Sequence, residues 1–145
     1  MNADQLFSAA STLAITGWLV LALAPLRRGI AVLVARWVVA FLCATYAVLL
    51  IRALGGSGGG GNAFAQMGTL GGVVALFKSP EAILVGWIHY LAFDLFTGAW
   101  ITDDAPHARV PHWLVLPCLF LTLMAGPVGL LTYLLIRSVW QPRGV

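Results

Sequence analysis

Charge is what this chain has least of. Of its 145 residues only 9% are Asp, Glu, Lys or Arg, against roughly 25% in a soluble domain, and its mean hydropathy is +0.94. That scarcity excludes an ordinary water-soluble fold, and the lack of a long polar run excludes a separate soluble domain. Cysteine is almost missing too. Cys43 and Cys118 both fall in apolar stretches with no Cys-x-x-Cys or Cys-His spacing, so neither a disulfide framework nor a cysteine metal site is expected. The eight Lys and Arg outnumber the five acids, but they stand singly or in pairs at segment ends. No basic stripe follows a phosphate backbone, which excludes nucleic acid as a partner and leaves lipid headgroups as their natural contact. Histidine boxes of the membrane di-iron kind and Ser-His-Asp or Cys-His arrangements are lacking as well.

What is present is a set of uncharged runs. Leu6 to Leu26 covers 21 residues, the length a helix needs to cross a bilayer. A cleaved signal peptide would also show Ala22-Leu23-Ala24, but no positive segment precedes the run and Pro25 follows it, so it is expected to stay as a first membrane helix. Arg27-Arg28-Gly29 turns the chain into a second span over Ala31 to Leu54, with Arg36 close enough to its end to snorkel to the headgroups. Gly55 to Gly61 reads as a flexible linker without a phosphate-binding pattern. The uncharged segment from Asn62 to Phe77, interrupted by Gly68, Gly71 and Gly72, is short for a span and fits an interfacial or re-entrant helix. Ser79-Pro80-Glu81 combines an N-cap, a proline at the first helical position and an acid in the first turn, opening a third span to Ile101. A polar loop follows, and Pro111 to Arg137 is expected as a fourth span kinked at Pro117 and at Gly126-Pro127. The predicted fold is therefore an all-α integral membrane protein, a four-helix transmembrane bundle with a short helix between spans two and three. Counting basic residues at the two ends gives four against four, so orientation stays undecided.

Two ionisable residues stand inside the third span, His89 and Asp94. An unpaired charge at that depth costs about 2.5 to 3.5 kcal/mol on insertion scales, so such residues pair or serve a site. Five positions apart, they lie about 140° apart around a helix and do not share a face. His89 aligns with Val85, Phe93, Phe96 and Trp100, whereas Asp94 aligns with Trp87, Tyr90 and Gly98, so both sides of this helix should meet protein or a cavity. His112 opens the fourth span and could close a cavity mouth, while Asp103, Asp104 and His107 read as solvated loop. A metal at the membrane interface held by His89, His112 and Glu81 is allowed by composition, though no chelate spacing marks it.

The run Gly86-Trp-Ile-His-Tyr-Leu-Ala-Phe-Asp-Leu-Phe-Thr-Gly98, with Pro111-His112 and Gly126-Pro-Val-Gly-Leu-Leu131, resembles the ABA4-like family of small membrane proteins. Plant members of that family act in making neoxanthin from violaxanthin. The resemblance implies an isomerisation in which an epoxide oxygen gains a proton as a neighbouring carbon loses one, with no redox cofactor formally required. Asp94 as acid, His89 as base and His112 nearby would be its catalytic residues. Trp87, Tyr90, Phe93, Phe96 and Trp100 would line the path of a hydrophobic polyene or isoprenoid. No plastid transit segment precedes the first span, so a bacterial inner membrane is expected. Two other readings stay open, a non-enzymatic lipid- or pigment-binding subunit and an interface metal protein, as does a homo-oligomer.

Overall fold

The computed structural model describes residues 2–55 and 67–140. Among these, all regular structure is helical: α1 (Ala3–Ala22), α2 (Arg28–Gly55), α3 (Leu70–Leu76), α4 (Pro80–Asp104), α5 (His112–Met124) and α6 (Gly126–Trp140). Three of them, α1, α2 and α4, are long and apolar enough to cross a membrane. The protein is an all-α membrane protein. The greater part of the expected Gly55–Gly61 linker, and the start of the expected short helix, lie outside the described residues.

Local chemistry sets most helix ends. Asn2 and Gln5 cap α1 reciprocally, side chain to backbone in both directions, and the helix stops at Ala22 ahead of Pro25, whose ring cannot continue it. Thr69 caps the short α3. Ser79 Oγ accepts from the Ala82 N–H, and Pro80 occupies the first turn of α4, where no N–H is needed. Inside the apolar helices the hydroxyls of Thr97, Thr102 and Thr122 donate to the carbonyl four residues back, so these three present no bare polar group to hydrocarbon.

Helix α4 is the axis of the molecule, packed against α1, α2, α5 and α6. In lipid no hydrophobic force draws helices together, and small residues that allow close backbones take over. Gly98 of α4 meets the Trp18 ring of α1, and Gly17 of α1 meets Leu95 of α4, each so closely that a Cβ would collide. Helix α2 turns Ala31, Ala35, Val38 and Leu42 inward. The contacts also give direction. Ser11 lies level with Trp87 and Leu21 with Gly98, so α1 runs parallel to α4. Arg36 meets Asp103 and Tyr46 meets His89, so α2 runs antiparallel to it.

The expected fourth span is corrected: Pro111 to Arg137 is not one kinked helix but two, and they double back. Ala125 leaves the helical region (φ −157°, ψ 82°), and a Cβ on Gly129 would collide with Thr122, two residues that a straight helix holds about 10 Å apart. Helix α5 runs down α4 until Met124 reaches Tyr90. Helix α6 then returns until Tyr133 and Arg137 reach Asp104. Pro127 explains the difference. Read as an interior residue it kinks a helix, but here it sits in the first turn of α6, where its missing N–H costs nothing. Pro117, by contrast, stays inside α5 without ending it.

Two loop assignments are corrected as well. Asp104 is not a solvated loop residue; its carboxylate accepts from the Tyr133 hydroxyl at 2.6 Å and pairs with Arg137 at 2.8 Å. Arg36, expected to reach for headgroups, pairs with Asp103 at 2.6 Å instead.

Candidate functional site

The face of α4 that carries Trp87, Tyr90 and Asp94 is where helix packing, a backbone break and a cavity coincide. Trp87 stacks between Phe7 of α1 and Tyr90, at ring-centroid distances of 5.3 and 5.8 Å, and its indole N–H donates to Ser11 Oγ at 3.0 Å. Such rings want a polar partner for one atom and apolar contact for the rest. One turn on, the Tyr90 hydroxyl donates to the Met124 carbonyl at 3.2 Å and lies against the backbone N–H of Gly126. A single phenol thus serves both sides of the break between α5 and α6. Irregular backbone at this depth survives only where protein satisfies it.

Asp94 lies one further turn along, beside Tyr90 and pressed against Gly126, where a Cβ would collide with its carboxylate. Only glycine lets the hairpin tip come so near. One of the two carboxylate oxygens, Oδ2, is buried with no hydrogen-bond partner among the described residues. A buried polar atom left in this way costs on the order of 1 to 3 kcal/mol. Next to this pair, between Phe77, Ile83 and Trp87 on one side and Leu123 and Met124 on the other, is a cavity of about 560 Å³ with Tyr90 in its wall. The lining is apolar and aromatic except for the phenol.

The residues singled out from the sequence do not converge. His89 faces the opposite way from Asp94, exposed, stacked on Phe93 at 4.6 Å and near Tyr46 at 5.4 Å. Phe93 and Phe96 share that outward face, 58% and 52% exposed. Trp100 is half-buried, edge-on to Tyr133 at 5.7 Å. His112 sits at the far end of α4 from Glu81, its Nε2 3.0 Å from the Ala22 carbonyl. Since a carbonyl only accepts, Nε2 carries the proton, and His112 ties the start of α5 to the end of α1. The set His89, His112 and Glu81 therefore holds no metal, because Glu81 and the level of His112 lie about 25 Å apart along α4. Among the described residues no group of three His, Cys, Asp or Glu could hold one.

Reading the sequence missed Ser11, the Met124 carbonyl and Gly126. Only Gly126 carried a signal, in its Gly-Pro-Val-Gly context. A family model described as ABA4-like, ABA DEFICIENT 4-like, matches residues 5–133. The chain belongs to the ABA4-like family. The match runs from the first turn of α1 to Tyr133 in α6, so the ABA4-like region takes in the whole α4 site, the α5–α6 turn and the Tyr133–Asp104 hydrogen bond. Comparison with curated proteins and with solved structures finds no match.

Proposed function

We propose that this ABA4-like protein isomerises an epoxidised carotenoid or related isoprenoid, seated with its chain along the aromatic cavity and its epoxide at Tyr90. The observation that carries the reading is the buried, unpartnered Asp94 oxygen beside Tyr90, whose side chain forms part of the wall of an otherwise apolar cavity. Family membership supports the substrate class.

The chemistry needs one proton delivered and one removed. The Tyr90 hydroxyl gives its proton to the epoxide oxygen as the carbon–oxygen bond opens. The neighbouring carbon gives up its proton to the Asp94 carboxylate, and the electrons of that carbon–hydrogen bond become the new double bond of an allenic alcohol. Transfer of the proton from Asp94 to Tyr90 restores both groups. Substrate and product have the same composition, so the step consumes no water and needs no oxidant or reductant. In this reading His89 and His112 lie outside the chemistry, His89 because it faces the other way and His112 because it sits against the end of α1, away from the residues that line the cavity.

The test is turnover of an epoxy-carotenoid such as violaxanthin by the purified chain in lipid nanodiscs, with the allenic isomer resolved by chromatography. Asp94→Asn and Tyr90→Phe should each lower turnover by roughly 10² to 10⁴, the range for acid-base groups, and His89→Phe should leave it within a few-fold. Full activity in folded Asp94→Asn would overturn the assignment. Purification with an unchanged polyene and no turnover would leave a pigment-binding protein instead.

A further inference from the structure

Because α5 and α6 double back, the two ends of the molecule are not equally charged. Arg27 and Arg28 lie at the turn into α2, Arg36 pairs with Asp103, Arg109 follows the end of α4, and Arg137 returns along α6 to Asp104. All five stand at the Asp104 end. At the Pro80 end, the described residues include only Arg52 and Lys78. A single fourth span would carry Arg137 across to the Pro80 side and restore the balance seen in the sequence. The hairpin removes that balance.

The hairpin is also too short to cross. Helix α5 has 13 residues, about 20 Å of rise against a hydrocarbon core of about 30 Å. Its tip at Ala125 lies level with Tyr90 and Asp94, near the middle of α4, and there Tyr90 takes up the polar backbone. Among the cations, Arg28 Nε and Arg137 Nε are buried with no hydrogen-bond partner among the described residues, Arg137 being ion-paired with Asp104 and Arg28 having no ion pair among them.

We propose that the Asp104 end is a docking surface for anionic phospholipid headgroups of the non-translocated, cytoplasmic leaflet. The α5–α6 hairpin enters and leaves the bilayer from that side. The chain then crosses three times, with the start of α1 on the translocated side and the end of α6 in the cytoplasm. Two physical facts support this orientation. Basic residues in short loops are retained on the cytoplasmic side, and five against two is a clear bias where four against four was none. A Lys or Arg near an anionic surface is attracted to it, and Arg27, Arg28 and Arg109 have no acid of their own among the described contacts.

Single-cysteine variants of the full chain, built on Cys43→Ala and Cys118→Ala and expressed in a bacterial inner membrane, test the orientation with a membrane-impermeant maleimide. Asn2→Cys and Ser79→Cys should label in intact spheroplasts, and His107→Cys and Ser138→Cys only after lysis. Labelling of Asn2→Cys and Ser138→Cys from the same side would overturn the hairpin topology, and the reverse pattern would overturn the orientation. For the leaflet, the thermal midpoint should rise when phosphatidylglycerol replaces phosphatidylcholine in nanodiscs, and Arg27→Gln with Arg28→Gln and Arg109→Gln should remove most of that rise. An equal rise in the triple variant would overturn the headgroup assignment. None of these readouts depends on turnover, so they stand or fall apart from the proposed activity.

Discussion

Removing the Asp104 carboxylate should open the base of the α5–α6 hairpin, and the size of the effect follows from what would be left behind. Tyr133 is fully buried, 0% exposed, and donates to Asp104 at 2.6 Å. Arg137 lies 2.8 Å from the same carboxylate, whose side chain is 17% exposed. A hydrogen bond to a charged group contributes about 1.5 to 3 kcal/mol net, and stranding a mostly buried cation costs more. Asp104→Ala should therefore destabilise by about 3 kcal/mol. Tyr133→Phe, which leaves the Arg137 pair intact, should cost about 2 kcal/mol. With about 2 to 4 °C per kcal/mol for a chain near this size, Asp104→Ala should lower the thermal midpoint in detergent by about 6 to 12 °C. The neighbouring acid supplies the control. Asp103 pairs with Arg36 at a similar distance, but their side chains are 47% and 54% exposed, so Asp103→Ala should cost under about 1 kcal/mol. A double-mutant cycle decides the matter: once Asp104 is Ala, Tyr133→Phe should cost almost nothing more. Equal losses for Asp103→Ala and Asp104→Ala, or additive losses for Asp104→Ala and Tyr133→Phe, would refute the claim that a buried network anchors the hairpin.

Gly126→Ala should destabilise by about 1 to 3 kcal/mol because its Cβ meets the Asp94 carboxylate, and Asp94→Ala in the same chain should recover much of the loss in a detergent melting series. His89→Phe should shift the thermal midpoint little, since His89 is exposed, has no hydrogen bond among the described residues, and its ring stacking on Phe93 is one a phenyl ring keeps; a large fall in a detergent melt would overturn this. A membrane-permeant maleimide should modify exposed Cys43 while the folded protein protects buried Cys118, and intact-mass spectrometry before and after denaturation reads both. Ser11→Ala should cost about 0.6 kcal/mol, the usual worth of one interhelical hydrogen bond in a membrane, measured as a small drop in the same melt.

Local sequence by itself determined that this is an all-α membrane protein, because length and hydropathy of a run are properties of the run alone. It also determined the start of α4, where Ser79 and Pro80 act within a single turn, and it marked Asp94 and His89 as out of place in a span. Tertiary structure decided which way each of them faces. The 140° between them was legible, but not which side would hold the cavity and which would face outward. That depended on α1 and α5 closing over the Trp87–Tyr90–Asp94 face. The doubling back of α5 and α6 was equally out of reach. Gly126-Pro127 allows both a kink and a new helix start, and the choice is made by contacts from a distant helix, where Tyr90 takes up the broken backbone and Asp104 holds the returning strand of chain through Tyr133 and Arg137. Asp104 looked like surface because acids beside a proline loop usually are, and only the return of α6 brings it partners. Spacing along one helix is fixed locally, whereas partners between helices exist only once the bundle has formed.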